Sequence, residues 1–252
     1  MKLLLDVAAE PIETFGRRLG YSEPFRLADS TASKPLPEWK MEEDDAPILR
    51  YIYRHAQPRR HLEFGTWQGA GVVACLESCG ATVWTINLPE GKTEAGGRWT
   101  YADNRPREEP LPAGARTKPL DDRRHTVQTD SHGFIGHLYI SRGLGHRVCQ
   151  ILADSREWDI SNYPPGFFES CLIDGGHDEQ VVISDLHKAL NLVRSGGLII
   201  FHDFCPVKEV RATCPSTVGV LAAVGREMPY LKKSLSDMFW IKPSWLLVGV
   251  RR

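Results

Sequence analysis

The sequence predicts an α/β fold: one open, doubly wound sheet, mostly parallel, with an antiparallel hairpin at its C-terminal edge. Three observations predict it. From about residue 58 onward, apolar runs of strand length alternate with stretches of helical period, the pattern of a parallel sheet wrapped by helices. Three of the apolar runs close on polar, ionisable residues: His61-Leu62-Glu63-Phe64-Gly65-Thr66-Trp67-Gln68-Gly69, Cys171-Leu172-Ile173-Asp174-Gly175-Gly176-His177, and Gly196-Gly197-Leu198-Ile199-Ile200-Phe201-His202-Asp203. In an open parallel sheet the carboxyl ends of the strands share one crevice, so these tips are expected to meet. Finally, 252 residues at 42% hydrophobic content suffice for one large domain with a sizeable core.

Residues 1–45 mix short apolar turns with Pro24, Pro35, Pro37 and the acidic run Glu42-Glu43-Asp44-Asp45, and are expected to form an irregular N-terminal cap on a main domain spanning 46–252. Asp45 is the expected N-cap of a first helix. Pro47 suits its first turn, Ile48, Leu49, Ile52 and Tyr53 form its apolar face, and Pro58 ends it. There follow a strand at 61–64, a helix at 68–79, a strand at 82–87, a helix at about 130–142, strands at 147–152 and 170–174, a helix at 178–193 and a strand at 197–202. A helix near 216–227 leads to a strand near 237–241, a turn at Pro243-Ser244 and a closing strand over 245–250, near enough to pair antiparallel. Between Pro89 and Thr126 the chain is rich in Gly, Pro, Arg and Glu and has neither period, and it is too long for an ordinary connection. It reads as a disordered surface loop, or as a substrate lid or subunit-contact arm that would use Trp99 and Tyr101 and imply a homo-oligomer.

Composition narrows the partners. With 31 basic and 32 acidic residues the formal net charge is -1, which leaves no global field for nucleic acid and favours a small-molecule substrate. Asp6 interrupts the apolar start Met1-Lys2-Leu3-Leu4-Leu5 far short of a secretory core, and no later run is long enough to span a membrane, so a cytoplasmic protein is expected. Cys75, Cys79, Cys149 and Cys171 lie inside apolar patterns and read as buried thiols.

The chemistry begins at the first tip. Gly65 and Gly69 let the backbone turn tightly against a ligand, the new helix presents unpaired N–H groups to a carboxylate or phosphate, and Glu63 can accept from a cation. These blocks resemble the class I S-adenosylmethionine-dependent methyltransferases, whose sheet is Rossmann-like, over roughly residues 58–88 and 147–250. Leu152-Ala153-Asp154-Ser155, Ile173-Asp174-Gly175-Gly176-His177 and Phe201-His202-Asp203 are most similar to the metal-dependent macrocin and novobiocin-type small-molecule O-methyltransferases.

The resemblance implies a set of roles. Glu63, Gly65, Thr66 and Gly69 would hold the amino-acid end of S-adenosylmethionine. Asn87 stands where the family has the acid that grips the ribose, with Glu90 as a substitute. Asp154 and Ser155 would contact adenine, Trp158 would cover the ring or pack on its own domain, and Asp174 would serve both cofactor and catalysis. A divalent cation, magnesium or manganese, would be held by Asp174, His202 and Asp203. His202 replaces a second carboxylate, and its imidazole shifts the preference toward manganese, iron, cobalt or zinc. His177 is the expected general base, or else it caps the following helix. Cys205 and Cys214 match no zinc spacing. The expected activity is O-methylation of a small hydroxylated molecule, a sugar or phenol of secondary metabolism. Asn87 and His202 keep open a methyltransferase-like binding protein without transfer. A nicotinamide oxidoreductase ranks last, because the turn lacks the closely spaced first pair of G-x-G-x-x-G and Asn87 stands where NAD would want an acid.

Overall fold

A computed structural model describes residues 4–89, 93–94, 97–100, 105–107, 135–211 and 216–252. In chain order the elements are β1 (Ala8–Pro11), α1 (Phe15–Arg18), α2 (Asp29–Ala32), α3 (Ala46–Ala56), β2 (Arg60–Phe64), α4 (Ala70–Leu76), β3 (Thr82–Asn87), β4 (Thr93–Glu94), β5 (Gly97–Thr100), β6 (Arg105–Arg107), α5 (His137–Ser141), β7 (Val148–Leu152), β8 (Phe168–Ile173), α6 (Glu179–Leu192), β9 (Val193–Phe201), α7 (Lys208–Arg211), α8 (Ser216–Ser234), β10 (Leu235–Lys242) and β11 (Leu247–Arg251).

Eight strands form one sheet in the order β1-β10-β11-β9-β8-β2-β3-β7, with β11 antiparallel to both its neighbours and every other pairing parallel. The β10–β11 hairpin is therefore as expected, but β1 adds to its outer side and takes the edge. From β2 the chain steps through α4 to β3 on one side; from β8 it steps through α6 to β9 on the other. Right-handed crossovers in opposite directions put α4 and α6 on opposite faces of the sheet, and the direction reverses between β2 and β8. Register then fixes the site. Ile151, Ile86, Phe64, Ile173 and Phe201 lie in one row across five parallel strands, so the residues just beyond that row emerge together at one edge.

The core is continuous from Val7 to Val248. In the N-terminal cap, Phe15 and Phe25 pack edgewise on Tyr51 of α3 at 5.3 and 5.4 Å between ring centres. Arg18 pairs with Asp237 of β10 through two bonds of 2.8 and 2.7 Å. His61 is the one buried imidazole in β2; Ser170 and Tyr53 hydroxyls engage its two ring nitrogens, and burial drives its pKa down to about 3, so it is a neutral structural residue.

Several boundaries differ from expectation. The helix expected at 68–79 is confined to Ala70–Leu76, because Gly69 adopts φ 93 and ends the turn only there. The helix expected near 216–227 continues to Ser234 with Pro229 inside it. Within the expected irregular insertion, β4, β5 and β6 form a small antiparallel sheet whose strands are too short to show a period. Of the helix expected at about 130–142, only the part from Ile135 is described, and α5 occupies His137–Ser141. Glu90, Tyr101, Cys214 and the side chain of Trp99 lie outside the described residues. Cys75, Cys149, Cys171 and Cys205 are buried and Cys79 is partly buried. Among the described residues no helix is long and apolar enough to cross a membrane.

Candidate active site

The polar tips meet at the point of reversal, around a cleft of about 540 Å³ lined by Glu63 to Trp67, Asn87, Ala153 to Arg156, Asp174 to Asp178, Asp185 and the pair His202 and Asp203. Gly65 shows why the turn is glycine: its φ is 96, and a Cβ there would lie 1.9 Å from the carbonyl oxygen of Asp174. The β2 and β8 tips can close on each other only without that atom.

At one end of the cleft Glu63 is 1% exposed, and its Oε2 has no hydrogen-bond partner. Burial, reinforced by the charge of Asp174 and opposed by the Val72 amide, holds its carboxyl well above the usual range. Gly71 makes room for it, since a Cβ there would come within 2.8 Å of Oε2. An orphaned buried carboxyl at the mouth of α4 is what an ammonium ligand would satisfy. Of the other residues expected around the cofactor, several are turned to structural work. The Thr66 hydroxyl is buried against Thr85 at 2.7 Å and Gln150 at 2.8 Å. The Gly69 amide donates to Thr66 at 2.7 Å, and Gly69 does not line the cleft. Asn87 lines it, but its side chain accepts from the Trp67 amide at 2.9 Å and donates to the Leu88 carbonyl at 2.8 Å. Asp154 is held by Arg156, whose charge keeps its pKa low. Trp158 packs edgewise on Phe64 and tilted against Tyr163, away from the cleft lining.

At the other end, Asp203 adopts φ 52 and gathers three donors. His177 Nε2 lies 2.9 Å and His202 Nδ1 3.0 Å from its Oδ2, while the Ser216 hydroxyl donates to Oδ1 at 2.6 Å. Burial works against its charge, but the two imidazoles outweigh burial and hold its pKa well below the usual range. His202 Nδ1 also lies 3.2 Å from Asp174, and its Nε2 lies 3.3 Å from Asp45. Burial opposes a charge on this ring, but Asp174 and Asp203 overcome it and raise the His202 pKa well above 6.5. Among the described residues, the group whose ligand atoms lie within 4.8 Å of one another is Asp174, His177 and Asp203, so His177 stands where the expected set has His202.

Two further expectations change. His177 does not cap α6, because the Asp178 side chain accepts from the Gln180 amide and does so. Asp45 stands at the N-cap position of α3 but makes no side-chain cap bond there. Its carboxylate instead reaches His202 and, at 3.3 Å, the Trp245 amide. Asp45, Asp185, Ser216 and Gly219 are site residues that the sequence reading missed. Gly219 of α8 packs so near that a Cβ would lie 1.9 Å from the His177 carbonyl oxygen.

A sheet with one reversed strand, a glycine turn after its central strand and a cleft at the reversal define the class I methyltransferase fold. Over residues 62–204 the chain matches the family model described as a methyltransferase domain, and it belongs to that family of methyltransferases. Among solved structures, an O-methyltransferase from Bacillus cereus in complex with SAH is 19% identical, with a TM-score of 0.50 over 88% of this chain and 86% of that one. Cofactor-bound Rv0187 from MTB is 14% identical, with a TM-score of 0.51 over the same shares. At these identities the likeness is one of fold. A comparison with curated sequences gives no match.

Proposed function

We propose that the chain is an S-adenosylmethionine-dependent O-methyltransferase acting on a hydroxyl of a small molecule such as a sugar or phenol. The observation that carries this is the pairing, in one cleft, of an orphaned buried Glu63 with the His177–Asp203 dyad. S-adenosylmethionine, when bound, supplies an electrophilic methyl group. Glu63 accepts from its ammonium, and the first turn of α4, where Ala70 and Gly71 line the cleft, faces its carboxylate. His177 Nδ1, the ring nitrogen that does not face Asp203, takes the proton of the acceptor hydroxyl, while Asp203 at Nε2 orients the ring and stabilises the imidazolium that results. His202, bonded to Asp174 and Asp203 and backed by Asp45, fixes both carboxylates.

A second reading is favoured by the spacing of Asp174, His177 and Asp203. Those three residues would hold a divalent cation, which would lower the pKa of a coordinated hydroxyl and leave His177 a ligand instead of a base. The mixed carboxylate and imidazole set suits manganese or zinc better than magnesium.

Calorimetric titration with S-adenosylhomocysteine tests the cofactor reading. Wild type is expected to bind, and Glu63→Gln to bind about 10- to 100-fold more weakly with its fold intact, as expected for loss of one charged hydrogen bond. Glu63→Gln is a better probe than a change at Gly65, whose neighbour is backbone and whose replacement would disturb the sheet. Absence of binding heat with wild type would remove the reading.

A further inference from the structure

We propose that Cys75 and Cys79 are a peroxide-responsive thiol pair, in which Cys79 is oxidised first and Cys75 closes a disulfide onto it. Cys75 lies in the last turn of α4 and is 0% exposed, while Cys79 lies two residues beyond the C-cap Glu77 and is partly buried. Their sulfurs are 3.8 Å apart. Neither residue lines the cleft, so the inference stands apart from the cofactor reading. The two thiols differ in reactivity. Burial pushes the Cys75 thiol well above its usual range, and it stays protonated. Cys79 is drawn the other way: the hydrogen bond from the Cys75 thiol outweighs burial and, with the Ala81 amide and the Arg147 charge, brings its pKa down to about 7. A lowered pKa together with access to solvent makes one thiol of a pair the reactive one.

The fold holds the two in reach. Arg147, at the entry to β7, donates to the carbonyls of Leu76, Cys79 and Ala81 at 3.0, 2.5 and 2.9 Å, and so ties down both ends of the turn that carries Cys79. The Cys79 amide donates to the Cys75 carbonyl at 3.2 Å. A disulfide needs about 2.0 Å between its sulfurs. The remaining gap falls to Cys79, which is outside the helix and next to Gly80, where an added Cβ would meet nothing within 4 Å. Hydrogen peroxide is the oxidant. The Cys79 thiolate attacks one peroxide oxygen, the O–O bond breaks, hydroxide leaves, and the sulfur, oxidised by two electrons, becomes a sulfenic acid. The Cys75 sulfur then attacks that sulfur, the S–O bond breaks, and the hydroxyl departs with the Cys75 proton as water. Two thiols and one peroxide thus give one disulfide and two waters, and closure keeps Cys79 from the irreversible sulfinic acid.

Peptide mapping after peroxide treatment tests this, because trypsin releases residues 61–92 as one peptide whose only cysteines are Cys75 and Cys79. When reduced wild type is treated with hydrogen peroxide, then unfolded and alkylated, that peptide should take up no alkyl group and weigh two hydrogens less than its reduced form. Dithiothreitol should restore both alkylations. Cys75→Ala should stop at a sulfenic acid on Cys79 that dimedone traps, and go on to the sulfinic acid in excess peroxide. Cys79→Ser should leave Cys75 unoxidised. Two alkylatable thiols in the wild-type peptide, at a peroxide dose that oxidises free cysteine, overturn the proposal. So does a dimedone adduct that accumulates on Cys79 in wild type as fully as in Cys75→Ala, since Cys75 then resolves nothing. Oxidation of Cys75 in Cys79→Ser overturns the assigned order. The first measurement uses wild type alone and holds whether or not either variant folds.

Discussion

His177 and Asp203 are the pair on which the proposed proton transfer turns, and their electrostatics set its pH dependence. Burial opposes the His177 imidazolium, but Asp203, and then Asp174, outweigh burial and raise its pKa above 6.5. A base must be neutral to accept, so turnover should climb with pH along a limb centred above 6.5 and then level. Asp203→Asn removes the largest raising influence and should move the limb to lower pH. His177→Ala should flatten it and cost about 10²- to 10⁴-fold in kcat. Initial rates across pH with excess EDTA present check this. Activity that EDTA abolishes and manganese restores would instead make His177 a ligand.

Among the elements, α8 governs how firmly that histidine is held. Gly219 brings α8 against the backbone of His177 and Glu179, with 1.9 and 3.0 Å left to a notional Cβ, whereas Gly225, in the same helix, meets only the flexible end of Leu5 at 3.1 Å. Gly219→Ala must push α8 from the β8 tip, and should cost about 1–3 kcal/mol as overpacking does and lower kcat. Gly225→Ala gains helix propensity of up to about 1 kcal/mol with a yielding neighbour, and should be neutral or stabilising. Urea midpoints at unchanged m-value measure both. A Gly219→Ala variant as stable and active as wild type would show that α8 can yield without moving His177.

For the molecule as a whole, the sheet and its crevice were legible because Glu63, Asp174 and Asp203 each close an apolar run, and register carries such tips to one edge. What stayed illegible came from helices. Asp185 sits on α6 with the period of an ordinary surface charge, and only the packed fold shows it turned inward. Asp45 carries the signature of a cap, and its true partner, His202, is 157 positions away. Asn87 and Thr66 were read as ligand groups because they stand at the right tips, but hydrogen bonds to neighbouring strands and turns had already claimed them. The placement of β1 has a further consequence, in the time the chain takes to fold. Its partner β10 begins at Leu235, and β9 lies bare on one side until β11 arrives. The first strand made thus waits for nearly the last, and loop closure over such separations is slow. A chain ending at Ser234 should show no cooperative urea transition by circular dichroism, and the full chain should refold much more slowly than a helical protein of its size. The sheet's integrity is decided only when the last strands of this sequence have been made, which leaves the growing chain with open strand edges for other chains to pair with until then.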